Sequence, residues 1–104
     1  MRIIVLFNLK HGTDPAAYEA WARAREMPGV RALPSIDDFQ VYRTTGLLGS
    51  DGTPAYAYAQ IIDVADMDGF ASDSAKQTRA DVAREFGDWA DAPVFMLTDA
   101  ISMA

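Results

Sequence analysis

Between Ala55 and Val64 the side chains alternate in size along the chain. Tyr56, Tyr58, Gln60 and Ile62 make one set, while Ala57, Ala59 and Ile61 make the other. A period of two marks a β-strand, whose successive side chains stand on opposite faces. The large, partly polar set and the small set cannot meet the same environment. The strand therefore belongs to a sheet with two unlike faces.

The rest of the chain supplies the partners for that strand. Ile3 to Leu9 is apolar on both parities and rich in branched residues, the pattern of a strand covered on both sides. Lys10 to Thr13 breaks it, and Asp14-Pro15 reads as a helix N-cap followed by proline at the first helical position. Tyr18, Trp21 and Ala22, with Ala17 and Ala24, form the apolar face of that helix, and Glu19, Arg23 and Glu26 take the opposite one. Pro28-Gly29 is expected to stop the helix, leaving Val30 to Pro34 as a turn or short helical fragment. A second strand is expected from Ile36 to about Leu47, followed by turn chemistry over Gly49 to Pro54. After the alternating strand, Asp66 caps a short helix ending near Ala75. A longer helix begins around Thr78-Arg79-Ala80-Asp81, whose spacing resembles a capping box, and carries Val82, Ala83, Phe86, Trp89 and Ala90 on one stripe. Pro93 is expected to end it, with the last strand over Val94 to Ile101. The order β-α-β-β-α-β predicts an α+β, ferredoxin-like fold over residues 1–104 as one domain. Its four-stranded antiparallel sheet carries helices on one side.

Such a fold poses a burial problem. Two helices cover one face of the sheet, and the other is expected to expose Tyr56, Tyr58 and Ile62 with half of the first and last strands. Monomers rarely show contiguous apolar patches beyond about 300–600 Å². A homodimer packed sheet to sheet, with a lined cavity between the sheets, resolves this.

Charge and composition narrow the function. Nine basic and fifteen acidic residues leave a formal charge of −6, which argues against a nucleic-acid groove or an anionic membrane surface. The chain has no cysteine, so disulfides, thiolate nucleophiles and cysteine–metal sites are excluded. The apolar run after Met1-Arg2 is too short for a secretory or spanning segment, giving a cytoplasmic expectation. Neither the Gly46 to Gly52 region nor the Asp66 to Gln77 stretch has the spacing of a phosphate or calcium loop. No metal or other cofactor is expected.

The segments Ile4-Val5-Leu6-Phe7-Asn8-Leu9-Lys10, Val30-Arg31-Ala32-Leu33-Pro34-Ser35, Phe39-Gln40-Val41-Tyr42-Arg43 and Pro93-Val94-Phe95-Met96-Leu97-Thr98 carry a resemblance. Together they resemble the REDY-like, HapK-type proteins of the dimeric α+β barrel superfamily, over nearly the whole chain. That resemblance implies secondary metabolism, in gene clusters for prodigiosin-type pigments and for bisindole or carbazole products, and cofactor-independent cyclisation of intermediates held in the barrel. A more distant resemblance to stress-responsive barrel proteins and plant polyketide cyclases implies that Ile3, Val5, Phe7 and Leu9 line the lumen. It also places Tyr58 where those cyclases carry a histidine. Their catalytic tyrosine falls near Asp73 and their catalytic histidine near Thr78 or Arg79, so the plant mechanism does not transfer.

These considerations select candidate residues. His11 is the only imidazole, placed where a strand exit can meet a cavity mouth; a solvated loop residue is the competing reading. Tyr56, Tyr58 and Gln60 share a strand face and either orient a substrate or seal a dimer interface. Asp73 is a candidate general acid or base if it points inward, and otherwise a solvated helix carboxylate. Arg25 and Arg31 are candidates to hold an anionic or carbonyl group, against ordinary dipole complementation. Trp21 reads as core and Asn8 as a strand-end hydrogen bonder. The expected activity is cyclisation of an aromatic or polyketide-like molecule, with Asp73 or His11 moving a proton and Val5, Phe7, Tyr56, Tyr58, Gln60 and Arg25 binding substrate. A cofactor-free oxygenase on the same scaffold and a non-catalytic dimeric carrier are the alternatives.

Overall fold

In the computed structural model, residues 1–74 and 77–103 are described, without the side chains of 74 and 77–79. The readings that placed a helix end at Ala75 and a capping box on the Thr78 and Arg79 side chains lie outside the described residues.

The central strand β1 (Arg2–Leu9) lies between β3 (Tyr58–Val64) and β4 (Ala90–Thr98), and β2 (Ile36–Arg43) flanks β3. All pairs are antiparallel, in the order β2-β3-β1-β4, so the ferredoxin-like expectation holds. Register sets Phe7 opposite Tyr58, Val5 opposite Gln60, and Val5 opposite Phe95 on the other side. Helices α1 (Pro15–Trp21), α2 (Met27–Arg31), α3 (Met67–Ser74) and α4 (Gln77–Trp89) complete the fold.

The two sheet faces differ as the alternation requires, but their assignment is the reverse of the one expected. Tyr58, Gln60, Ile62 and Val64 are buried with Ile3, Val5 and Phe7, in one core with Tyr18, Ala22, Val82 and Phe86 from the helices. Within the strand, Ala59 and Ile61 of the small set face away from the helices, while Ala57 precedes the strand and packs against the core. Aromatic area decides this. Phe7 stacks on Tyr58 at 5.4 Å between ring centroids, and the Tyr18 ring meets Tyr58 edge-on at 5.0 Å. Burying those rings removes more apolar surface from water than burying Ala59 would. Tyr56 falls outside the strand altogether, half-buried in the connection before β3.

Three boundaries also move. The helical region runs through Pro28 to Arg31, because a π-helical segment over Ala22–Glu26 precedes the proline. There the Met27 N–H reaches back five residues to the Ala22 carbonyl. The widened turn relieves the clash between a proline ring and the carbonyl four residues earlier. β2 and β3 are shorter than expected because Asn8 holds the chain between them: its Nδ2 donates to the Ala55 carbonyl at 3.1 Å, and its Oδ1 accepts from the Ala57 N–H at 2.9 Å. The strand-end role read for Asn8 is thus seen. β4 begins at Ala90 and contains Pro93, which a strand on the edge of the sheet tolerates. A register shift opposite Leu6 and Asn8, with Ala92 at a φ of 44°, accommodates the change.

On the helix-free face Ile4, Leu6 and Ile61 are half-buried, and Val94 and Met96 stand exposed beside them. This is an apolar surface that the protomer leaves uncovered. Among the described residues, no helix is long and apolar enough to cross a membrane.

Candidate functional site

The site grows out of the first helical segment. Asp14 caps α1 through the Ala16 N–H at 3.0 Å, and Pro15 fixes its first turn. From there the buried residues are Tyr18, Ala22, Glu26 and Val30, one every four residues. In an unbroken α-helix that spacing drifts about 120° over the run, at about 100° per residue. The π-helical segment absorbs one residue and removes most of the drift. It turns Glu26 inward, against the solvent-facing position that α-helical phase gives it. A strict four-residue repeat that runs across a proline is the available signal.

Glu26 is 4% exposed and lies beneath the sheet's polar position, Gln60. The Tyr18 hydroxyl donates to Glu26 Oε1 at 3.1 Å. Gln60 Nε2 donates to Glu26 Oε2 at 2.9 Å and to the Tyr18 oxygen at 3.2 Å. Burial pushes the Tyr18 phenol far above its ordinary range, and the adjacent Glu26 carboxylate pushes it further, so Tyr18 serves as a donor. Beside this triad is a cavity of about 80 Å³, with Glu26 and Gln60 on its polar wall and Val30, Phe39, Phe86 and Phe95 among its apolar ones. Phe95 closes one side and is itself 58% exposed. A pocket for a drug-sized ligand is about 300–1,000 Å³. The space seen here accepts a small fragment unless Phe95 moves aside.

A second polar group stands at the start of β3, two residues before Gln60. The Tyr58 hydroxyl donates to Glu19 Oε2 at 2.8 Å, and Arg43 Nη1 donates to both Glu19 oxygens at 2.7 and 2.9 Å. The Tyr58 hydrogen bond first, and Arg43 after it, hold the Glu19 carboxyl below the usual carboxylate range. Burial, reinforced by Glu19, pushes the Tyr58 phenol up to about 12.

The other candidates separate. Asp73 does point inward and is 6% exposed, but its Oδ2 accepts from the Ser35 N–H at 3.2 Å and the Ser35 hydroxyl at 2.6 Å. That ties α3 to the turn before β2, away from the residues lining the Glu26 cavity. Arg25 pairs with Glu85 on α4, which also accepts from the Trp21 indole at 3.1 Å. The Arg25 side chain is 49% exposed and lies outside the cavity. Arg31 donates to the Phe39 carbonyl at 2.9 Å. His11 is exposed on the turn after β1 and borders a separate open groove. Val5 and Phe7 are fully buried, opposite Gln60 and Tyr58 on the neighbouring strand. Among the described residues, no group of three or more His, Asp or Glu is placed to hold a metal.

Comparison with known proteins agrees with this geometry at the level of fold and family. The sequence profile described as REDY-like protein HapK matches residues 1–101. An 11.0 kDa protein from the thcB-thcC intergenic region of Rhodococcus erythropolis is 32% identical over 87 residues, covering 79% of this chain and 80% of that protein. The crystal structure of HapK from Hahella chejuensis superposes with a TM-score of 0.72 at 21% identity, over 100% of this chain and 98% of that one. SnoaB from Streptomyces nogalater, a cofactor-independent oxygenase, gives a TM-score of 0.70 at 15% identity, over 99% and 96% of the two chains. At those identities the two structures establish a shared fold.

Proposed function

Since the chain belongs to the REDY-like HapK family, we propose that it is a small-molecule enzyme that cyclises an aromatic or polyketide-like intermediate without a cofactor, between its sheet and its helices. The observation that carries this is a buried carboxylate lining a cavity and oriented by two donors. In this reading Glu26 takes a proton from the carbon or hydroxyl that becomes the nucleophile and returns it after ring closure. Tyr18 and Gln60 fix the carboxylate. Phe39, Phe86 and Phe95 hold the substrate's planar part, and exclusion of water keeps the reactive chain folded on itself. Phe95 swings outward to admit the substrate. Asp73 supports the wall through Ser35 rather than moving the proton.

A second copy packs against the helix-free face in this proposal, covering Ile4, Leu6, Ile61, Val94 and Met96. The row containing Tyr58 stays inside each protomer.

The test is Glu26→Gln, which preserves shape and removes the base. Turnover of a poly-β-ketone or aryl-ketone substrate should fall about 100-fold or more, the scale of general acid–base catalysis, with an unchanged circular dichroism spectrum. Undiminished turnover removes Glu26 from the mechanism. Oxygen uptake in step with product would instead assign cofactor-independent oxygenation, the activity named for SnoaB.

A further inference from the structure

An open groove of about 680 Å³, larger than the Glu26 cavity, lies between the end of β1 and the connection joining β2 to β3. Its composition runs against that of the molecule. The chain carries fifteen acidic residues and nine basic ones, yet Lys10, His11 and Arg43 border this groove and no carboxylate does, among the described residues. Hydroxyls come from Thr13, Thr44, Thr45 and Thr53, while Leu9, Pro15, Pro54 and Ala57 give an apolar lining. By contrast, the concavity at the opposite end of β1 is bordered by Asp37, Asp63 and Asp99.

The rim is also held in place. Asn8 grips the Ala55 carbonyl and the Ala57 N–H, and the Thr44 hydroxyl donates to the Tyr56 carbonyl at 2.8 Å. Arg43 meets Glu19 through Nη1, and its side chain is 62% exposed. Glu19 offsets part of that charge, and Lys10 remains exposed without a carboxylate partner in an ion pair among the described residues. Tyr58 borders the groove and extends from it toward Tyr18, with 5.0 Å between ring centroids.

We infer that this groove binds an amphiphilic organic anion, an aromatic or aliphatic carboxylate, with its charged end at Lys10 and Arg43 and its apolar body over Leu9, Pro54 and Ala57. Cations and hydroxyls on a rim over an apolar bed suit a molecule that is anionic at one end only. The inference stands apart from the Glu26 reading: it needs only binding, and turnover at Glu26 does not depend on it.

The probe is 2-naphthoate, with neutral 2-naphthamide as its counterpart, measured by calorimetry and by amide chemical shifts on the full chain. Naphthoate should bind saturably, shift residues 10–13 and 44–46, and weaken as ionic strength rises. The amide should bind about tenfold more weakly, since it forfeits charge-assisted hydrogen bonds. Lys10→Gln, which leaves the Glu19 pairs intact, should weaken naphthoate several-fold. Lys10→Gln with Arg43→Gln should weaken it about tenfold or more, and the remote Arg84→Gln should leave it unchanged. Equal affinity for acid and amide, an unaffected double variant, shifts confined to α4 and β4, or no saturable binding would each overturn the inference.

Discussion

The Tyr18 hydroxyl donates to Glu26 Oε1 at 3.1 Å across two turns of the same helical segment, and both groups are buried. Tyr18→Phe removes that donor while keeping the ring. The variant should lose about 1–3 kcal/mol, the cost of leaving a buried acceptor short of a partner. Each kcal/mol lowers the melting temperature of a domain this size by about 4–8 °C. Calorimetry of the purified variant checks it; an unchanged melting temperature would show that the bond contributes nothing.

Phe95 tests access. Because it is 58% exposed, Phe95→Ala should cost less than the about 3–5 kcal/mol expected for a fully buried phenylalanine. The same substitution opens the Glu26 cavity, so a small aromatic such as indole should bind more tightly than to the native chain. Phe86→Ala, at a 7% exposed position in the core, should show the full loss.

Alkaline pH should loosen the Tyr58 contact. The Tyr58 phenol is raised from its ordinary value of 10 to about 12. A group whose folded pKa is raised contributes stability that is complete below the unfolded pKa and disappears as pH climbs through the folded one. Stability should therefore decline between about pH 10 and about pH 12, and Tyr58→Phe should flatten that decline. Glu19 acts at the other end of the scale. Its carboxyl is lowered, so its contribution is present above its ordinary pKa and is lost as pH falls through the folded value. Carbon-detected titration of Glu19 should show its pKa rising toward the ordinary value in both Tyr58→Phe and Arg43→Gln.

Asp73 and Ser35 should behave as a structural pair. Asp73→Asn and Ser35→Ala should each destabilise the protein, and the double variant should cost less than the sum of the singles. If Asp73→Asn instead abolished turnover with no change in unfolding midpoint, the proton-transfer role expected from family position would be restored to it.

The dimer prediction rests on the helix-free face. Leu6→Lys places a charge at the centre of that face, beside Val94 and Ala59. It should convert a sedimenting dimer into a monomer without altering the far-ultraviolet spectrum. A native chain that sediments as a monomer at micromolar concentration sinks the proposal.

How much of this was legible in the sequence follows from the range of each signal. Strand alternation in Ala55 to Val64 and the helical stripe from Val82 to Trp89 are local, and they gave the element order. Which sheet face the helices would cover depends on where Tyr18 and Phe86 meet Phe7 and Tyr58, contacts between residues far apart in sequence. The alternation alone carries no such information. Glu26 departs from α-helical phase because the chain adopts a wider turn through Ala22 to Glu26. For Asp73 the sequence leaves an inward and a solvated placement open, and the side chain lies inward. Its bond to Ser35, thirty-eight residues away, left no local trace.

The π-helical segment also bears on how this chain tolerates insertions and deletions. A π bulge amounts to an α-helix carrying one surplus residue. Excising the exposed Ala24 would shorten the Ala22 to Glu26 interval to the three-residue step that ordinary helical pitch prefers, so all four inward positions would keep their bearing. Pro28 would then sit inside a regular helix, where its ring has no room, at a cost of about 3 kcal/mol. The shortened chain should thus need a second change, Pro28→Ala, to fold as well as its parent. Surplus residue and proline form a matched pair, each tolerable because of the other.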